Sequence, residues 1–242
     1  MNMKNSGNYL DGSQNRGTLY GVSVGPGDPE LMTVKAVRII KECQVIALPN
    51  ESLEDCVAYE IAVQAVPEIA EKEILCLPMP MTKDKNILKT CHDAAAEKIR
   101  EKLSDGKNVA FLTLGDATVY STCLYVYDRV RDAGEKAEII SGVPSFCAAA
   151  ARLNRSLVSG AEELHILPAT YQIKEGLKLS GVKVLMKSGK KLSAVKELLI
   201  QEEKQVSGVQ RCGMEGETIY RSAEEIDEHA GYYSLFIVRD KE

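Results

Sequence analysis

The sequence is poor in aromatic residues and in histidine: its 242 residues include no Trp, three Phe and three His. No two Cys stand at C-x-x-C spacing and the His show no ligand spacing, so we predict no bound metal. No apolar run approaches the roughly 20 residues of a membrane span. Residues 1–16 are rich in Asn, Gly and Ser and lack the apolar core of a secretory signal. We therefore predict a disordered extension over 1–16, no membrane partner and a cytoplasmic location.

A strong excess of positive charge is also missing. The chain has 30 Lys and Arg against 35 Asp and Glu, a net charge of -5. Nucleic-acid-binding surfaces usually show a clustered basic excess, so we predict no nucleic-acid partner. The seven Cys are an odd number, which together with the absence of a signal indicates reduced thiols, most of them small buried apolar side chains.

The first half of the chain alternates between strand-like and helical segments. The strand-like runs cover residues 18–24, 45–48, 74–77, 108–114 and 137–140, and the helical ones cover 30–43, 53–66, 85–104 and 120–133. Such alternation predicts a parallel sheet covered by helices. The run over 108–114 is continuously apolar, which is typical of a strand buried on both faces.

The second half has helical patterns at 145–153 and 193–200 and several strand-like runs with few helices between them: 164–167, 182–186, 205–212, 217–221 and 232–238. This pattern predicts a mixed sheet with antiparallel pairs. We place a boundary near residues 136–141 and predict two α/β domains, over 17–137 and 138–242. A ligand site shared by two such domains is expected in the cleft between them.

The first motif, Gly25-Pro26-Gly27-Asp28, follows a strand-like run and precedes a helical one. Its glycines permit a tight turn and a close backbone approach to a ligand. It is not a dinucleotide-binding fingerprint, because Glu30 stands where that fingerprint requires a third glycine. Taken alone, the motif also fits an ordinary turn with Asp28 as the N-cap of the helix.

Two further motifs follow strands in the same way. Leu114-Gly115-Asp116 leads into several hydroxyl-bearing residues after the most apolar strand, where the carboxyl end of a buried strand usually faces a ligand. Asp116 either caps the following helix or holds a ligand ammonium or hydroxyl group. Ser141-Gly142-Val143-Pro144-Ser145 opens a helix of small residues, with Ser145 near its N-terminus.

In this order and spacing, the three motifs resemble the tetrapyrrole methylase family over about residues 17–240. The segments 184–187 (VLMK) and 211–214 (RCGM) are similar to the family's fourth and fifth motifs. Residues 115–122, 145–150 and 167–169 most resemble the branch that methylates C20 of precorrin-2 or cobalt-factor II. One departure is Ala117, which stands where the family usually has a proline that would stiffen the loop.

The resemblance implies two α/β domains of the class III methyltransferase type, with S-adenosylmethionine folded in the cleft between them. Asp116 is then the partner of a polar or cationic group of the methionine moiety, and Met186 and Met214 offer apolar surface to adenine. The implied cofactor contacts are Pro26, Gly27, Asp116, Thr118, Val119, Ser121, Thr122, Ser145, Phe146, Ala169, Met186, Cys212, Gly213 and Met214.

The implied reaction methylates a ring carbon of a tetrapyrrole in cobalamin biosynthesis and yields S-adenosylhomocysteine. A base is needed only to remove a proton after methyl transfer, and Asp116 and Tyr120 are candidates for this catalytic role. The substrate carries many carboxylates, for which Lys187, Arg211 and Arg152 are candidate partners. The family also implies a homodimer.

Other readings of the sequence remain open at this stage. One is methylation of another tetrapyrrole carbon by the same fold. Relatives that methylate diphthamide or ribosomal RNA are less similar, and the pI of 5.5 disfavours RNA. A third alternative is a nucleotide-binding module without catalytic activity.

Overall fold

The computed structural model describes residues 16–168, 173–187 and 191–241, which form two five-stranded sheets with helices packed on them. Residues 1–15 of the predicted extension and the predicted cofactor contact Ala169 lie outside the described residues. Arg16 is described, and its Nε donates a hydrogen bond to Glu135 over 2.8 Å.

The first sheet is parallel throughout, in the order β3-β2-β4-β1-β5. Its strands are β1 (Thr18–Ser23), β2 (Val45–Leu48), β3 (Glu73–Cys76), β4 (Val109–Thr113) and β5 (Lys136–Ile140). The helices of this half are α1 (Val34–Glu42), α2 (Val57–Ala65), α3 (Lys85–Ser104) and α4 (Cys123–Asp132). The predicted parallel α/β sheet is confirmed.

Helices cover both faces of this sheet, which explains the continuous apolar run of β4. All five residues of β4 are buried. Leu112 belongs to the core cluster that contains α1 and α2, whereas its neighbour Phe111 belongs to the cluster of α3 and α4. Successive strand residues point to opposite faces, so the four apolar residues of β4, Val109–Leu112, enter one core or the other in turn.

Three predicted helices begin later than their sequence patterns indicated. The segment 30–43 is interrupted: a 3₁₀ turn at Pro29–Leu31 ends in extended backbone, and α1 begins only after Thr33, whose hydroxyl accepts a hydrogen bond from the Ala36 N–H. Asp28 caps the 3₁₀ turn through the Glu30 N–H over 2.8 Å, so the prediction that it caps the helix is wrong, and the N-cap of α1 is Thr33. The predicted helices 53–66 and 120–133 begin at Val57 and Cys123.

The second sheet has the order β6-β7-β10-β8-β9. β6 and β7 are parallel and the remaining pairs are antiparallel, so the predicted mixed sheet is confirmed. The strands are β6 (Leu164–Pro168), β7 (Val182–Met186), β8 (Gln205–Gln210), β9 (Thr218–Tyr220) and β10 (Ser234–Arg239). The helices are α5 (Ser145–Arg152), α6 (Ile173–Gly176) and α7 (Leu192–Gln201).

Helices α5 and α7 cover opposite faces of the second sheet. Phe146 and Ala149 of α5 pack in the cluster that contains Val184, while α7 contributes to the cluster of Leu185 and Phe236. β5 belongs to the first sheet up to its last residue, Ile140. We therefore place the boundary between the halves at the end of the interval 136–141 rather than after residue 137.

Candidate active site

A cavity of about 280 Å³ lies where loops of the two halves meet. The loops come from one edge of each sheet. In the first sheet all strands are parallel, so their carboxyl ends lie at a common edge. In the second sheet β10 starts beside the end of β7, with Leu235 opposite Met186. The first half contributes residues of the loops after β2 and β4, the junction contributes Pro144, Ser145 and Ala149, and the second half contributes Met186, Lys187, Val209, Cys212 and residues 232–235.

The glycines of the three motifs let their loops approach one another closely. The N–H of Gly115 donates to the Gly25 carbonyl over 2.7 Å, and both residues have left-handed φ values, 73° and 77°. A Cβ on Gly142 would lie 2.5 Å from the Ser23 Cβ and 2.8 Å from the Gly115 carbonyl oxygen. Since real side chains do not tolerate such distances, glycine is required for this packing.

Asp116 ties the second motif to the third. One carboxylate oxygen accepts hydrogen bonds from the N–H and the hydroxyl of Thr118, over 2.8 and 2.5 Å, and the other accepts from the Gly142 N–H over 2.8 Å. Burial acts to raise the pKa of Asp116, but the hydrogen bonds outweigh it and hold the pKa below its usual range. The suggestion that Asp116 caps the next helix is wrong, because α4 begins only at Cys123.

The loop that contains Cys212 and Gly213 lies against the first motif. A Cβ on Gly27 would stand 2.0 Å from the Cys212 carbonyl oxygen and 2.9 Å from the Met214 Cγ, and a Cβ on Gly213 would stand 2.7 Å from the Asp28 nitrogen. The two loops belong to different halves of the chain. Their glycines therefore allow a backbone contact that joins the halves beside the cavity.

Tyr120 and Lys187 form a second contact between the halves, at the cavity wall. The Lys187 ammonium donates to the Tyr120 carbonyl over 3.1 Å and lies 5.2 Å from the centre of the Tyr120 ring, within the range of a cation–π interaction. The Tyr120 hydroxyl donates to the Ile166 carbonyl over 3.3 Å. Both residues have a left-handed φ, 53° for Tyr120 and 56° for Lys187.

The structure brings together nine of the predicted site residues in the cavity wall: Asp116, Val119, Tyr120, Ser121, Thr122, Ser145, Met186, Lys187 and Cys212. The other described ones do not line the cavity: Pro26, Gly27, Thr118, Phe146, Arg152, Arg211, Gly213 and Met214. The two arginines have partners elsewhere. The Arg152 Nε lies 2.6 Å from a Glu217 carboxylate oxygen, and the Arg211 Nε donates to the Glu215 carbonyl over 2.6 Å.

Two parts of the wall were missed by the sequence analysis. The loop after β2 contributes Pro49, Asn50 and residues 55–58, and the approach to β10 contributes residues 232–235. The loop after β2 could have been found from the sequence, because it follows a buried strand and therefore lies at the same sheet edge as Asp116. Residues 232–235 could not have been found from the sequence, because only the antiparallel pairing of β10 with β7 brings them to the cavity.

The thiols of the wall are not reactive nucleophiles. Burial, followed by the nearby Glu217 carboxylate, raises the pKa of Cys212 to about 11, and burial also raises the pKa of Cys56. Both thiols are therefore protonated near neutral pH, whereas nucleophilic cysteines carry a lowered pKa. The cavity thus offers apolar surface, hydroxyl groups, the carboxylates of Asp55 and Asp116 and the ammonium group of Lys187 for binding.

These features define an α/β protein of two halves with a cavity between one edge of each sheet. The family model described as tetrapyrrole (corrin/porphyrin) methylases matches residues 18–227. The chain belongs to this family, as its motifs predicted.

Relatives of known name match nearly the whole chain. A probable cobalt-precorrin-2 C(20)-methyltransferase of Methanocaldococcus jannaschii is 35% identical over 225 residues, which are 91% of this chain and 95% of the relative. The cobalt-precorrin-2 C(20)-methyltransferase of Salmonella typhimurium is 30% identical, with 92% and 96% covered. A precorrin-2 C(20)-methyltransferase of a Sinorhizobium species is 30% identical, with 92% and 95% covered.

Solved structures share the fold. A cobalt precorrin-4 methyltransferase superposes with a TM-score of 0.73 at 19% identity, covering 96% of this chain and 98% of that one. A uroporphyrin-III C-methyltransferase of Thermus thermophilus in complex with S-adenosylhomocysteine superposes with a TM-score of 0.68 at 19% identity, covering 92% and 97%. The two-domain fold predicted for the chain is that of these enzymes.

Proposed function

We propose that this protein is a methyltransferase that transfers the methyl group of S-adenosylmethionine to C20 of precorrin-2, or of its cobalt form cobalt-factor II, in cobalamin biosynthesis. The observation that carries the proposal is the match over more than nine-tenths of the chain to relatives named for this reaction. Two of these relatives are named for the cobalt form, which makes that form the first substrate to test.

The cavity fits a cofactor of this chemistry. Its volume of about 280 Å³ is near the lower end of ligand pockets, which run from about 300 Å³ upward. Val119, Ala149 and Met186 give the wall an apolar side suited to an adenine ring. Thr122, Ser145 and Asp116 give it a polar side suited to ribose hydroxyls and an ammonium group. We propose the remaining predicted residues, Ala169 included, as further contacts of the cofactor.

The residues of the wall would act mainly by binding and by excluding water. S-adenosylmethionine, when bound, supplies an activated methyl group on a sulfonium. Holding two reactants in line contributes on the order of 7–11 kcal/mol to such a reaction. The lowered pKa of Asp116 makes it a weak proton acceptor, which favours a binding role over the predicted role as base. Tyr120, 44% exposed, is the better candidate for contact with the tetrapyrrole.

Among the three cations predicted to meet substrate carboxylates, Lys187 has the best position. It is the one that lines the cavity, and its described partners there are the neutral carbonyl and ring of Tyr120. Arg152 and Arg211 are bound to Glu217 and to the Glu215 carbonyl. We therefore propose Lys187 as the first carboxylate contact.

The test is anaerobic incubation of the protein with S-adenosylmethionine and either cobalt-factor II or precorrin-2, followed by mass spectrometry and NMR of the product. We expect a gain of one methyl group, located at C20. A methyl group at another position would favour the alternative of a different tetrapyrrole carbon. Binding of S-adenosylhomocysteine without methyl transfer to either substrate would contradict the proposed reaction.

We further propose that the protein is a cytoplasmic homodimer that needs neither nucleic acid nor membrane. All seven Cys are free thiols, which suits a reducing compartment. No helix in the described part of the chain is both long and apolar enough to cross a bilayer. The dimer rests on the resemblance to the family, and sedimentation velocity would test it, since a monomer at micromolar concentration would contradict it.

A further inference from the structure

The loop between β8 and β9 is held in one conformation by its own hydrogen bonds. The Met214 N–H donates to the Arg211 carbonyl over 2.9 Å, and the Glu217 N–H donates to the Met214 carbonyl over 3.2 Å. Arg211 and Gly213 both have left-handed φ, 51° and 73°. This tight loop presents Cys212 to the cavity.

Glu217 fastens the loop to helix α5. One of its carboxylate oxygens accepts the Gly213 N–H over 2.9 Å, and the other lies 2.6 Å from the Arg152 Nε. Arg152 is the last residue of α5, and the same helix carries Ser145 and Ala149 into the cavity wall. The Glu217 side chain is only 16% exposed, so these bonds are partly shielded from water.

We propose that Glu217 is a positioning residue for the cofactor site, a role that rests on the proposed function. Glu217 itself does not line the cavity. It acts through Gly213, whose backbone packs directly on Asp28 and whose neighbour Cys212 contacts Gly27 of the first motif. Removing the carboxylate releases the Gly213 N–H, and the loop then loses its fixed place against the first motif.

The proposal also gives Arg152 a role different from substrate binding. Its guanidinium pairs with the Glu217 oxygen that does not accept from Gly213. Arg152→Gln removes the ion pair and leaves the acceptor for Gly213 in place. Glu217→Gln likewise keeps an acceptor oxygen for Gly213, whereas Glu217→Ala removes both interactions.

Calorimetric binding of S-adenosylhomocysteine to the full-length protein and these three variants tests the proposal. A hydrogen bond to a charged group is strong enough for an expected loss of about tenfold in affinity for Glu217→Ala. Arg152→Gln and Glu217→Gln should stay within about threefold of the wild type. In turnover, Glu217→Ala should raise KM for S-adenosylmethionine with little change in kcat, which a general loss of stability would not produce.

The outcomes separate the two proposals. If the wild type does not bind S-adenosylhomocysteine, the proposed function is wrong. If the wild type binds it and Glu217→Ala binds equally well, the role of Glu217 is wrong. Equal losses in all three variants would show that the ion pair, and not the bond to Gly213, holds the site, and would also overturn the proposal. If Glu217→Ala does not fold, Glu217→Asp takes its place, since the shorter side chain cannot reach both partners.

Discussion

Asp116 binds two loops with one carboxylate, and this arrangement explains why an acid follows β4, a strand whose five residues are all buried. Its oxygens accept hydrogen bonds from Thr118 and Gly142, so the charge is stabilised although only 8% of the residue is exposed. An unpaired charge at this depth would be costly. The residue therefore joins the second and third motifs whether or not a ligand is bound.

Replacing Asp116 with Asn should lower the free energy of unfolding by about 2 kcal/mol at pH 7, because the bonds to a charged group are lost or weakened. The pKa of Asp116 is lowered in the folded state, so the wild-type advantage is complete above the usual value of 3.8 and is lost as the pH falls through the lowered pKa. Urea denaturation at a series of pH values measures this difference.

The matched control is Asp132→Asn at the exposed end of α4, which should change stability by less than about 0.5 kcal/mol. A difference between wild type and Asp116→Asn that stays constant well below pH 3.8 would contradict the assignment, because it would not depend on the ionised form of Asp116.

Lys187→Gln should raise KM for the tetrapyrrole about tenfold, since a charge-assisted bond to a substrate carboxylate is lost. Gln can still donate to the Tyr120 carbonyl, so S-adenosylhomocysteine affinity should change by less than about twofold. Steady-state kinetics and calorimetry on the same preparation separate the two effects. Lys174→Gln on α6 is the control, and an unchanged KM for Lys187→Gln would remove Lys187 from the substrate site.

At the scale of elements, α5 has small residues because it packs closely between a sheet and the cavity. Ala148, Ala149 and Ala150 are all buried, whereas Ala151 is exposed. The side chain at position 149 lines the cavity and also packs in the core cluster between α5 and the second sheet. A larger residue there must either fill the cavity or displace the second sheet.

Ala149→Leu should therefore abolish detectable S-adenosylhomocysteine binding and destabilise the protein by about 1–3 kcal/mol through overpacking. Ala151→Leu, two residues along the same helix, should bind normally and have nearly wild-type stability. Calorimetry and thermal denaturation measure the pair. Normal binding by a folded Ala149→Leu protein would place the ligand away from α5.

Sequence alone predicted the helices and strands in which apolar residues recur in a regular pattern. The apolar run of β4, the helical pattern over 85–104 and the antiparallel character of the second half were visible in the residues of each segment. The start of α4 was missed because Tyr120 has a left-handed φ, which no apolar spacing records. The wall at residues 232–235 was missed because only the pairing of β10 with β7 brings it to the cavity.

The site was predictable to the extent that its residues follow strands or belong to motifs. Asp116 and Ser145 each follow a predicted strand and also belong to a motif, and the structure places both in the cavity wall. Arg152 was selected by charge and motif position, and its partner Glu217 lies in a different loop that sequence could not connect to it. Which side chains pair across a long sequence separation depends on how the folded chain packs, and the sequence pattern does not show it.

On the scale of the whole molecule, the cavity belongs to neither half alone. Its walls come from the first sheet's loops, the start of α5 and the edge of the second sheet. The contacts of Gly27 with Cys212 and of Tyr120 with Lys187 hold these walls together. A ligand in the cavity must therefore restrain both halves at once.

Hydrogen–deuterium exchange should show this directly. S-adenosylhomocysteine should slow exchange in residues 115–122 of the first half and, at the same time, in residues 209–212 and 232–235 of the second. Exchange over minutes to hours reports the local opening that a ligand suppresses. Helix α7, outside the cavity wall, is the internal control. Protection confined to one half would contradict a site between the sheets.

Tyr120, Lys187 and Arg211 each hold a backbone conformation that non-glycine residues avoid, and all three lie at or beside the cavity. Each such conformation costs on the order of 1–3 kcal/mol. Mutation to glycine at any of them would relieve this backbone cost, but at Tyr120 or Lys187 it would also remove a contact that joins the two halves at the cavity wall. If a lineage no longer needed the enzyme's product, glycine would become acceptable at these three positions wherever the relief of backbone cost offsets the lost contacts.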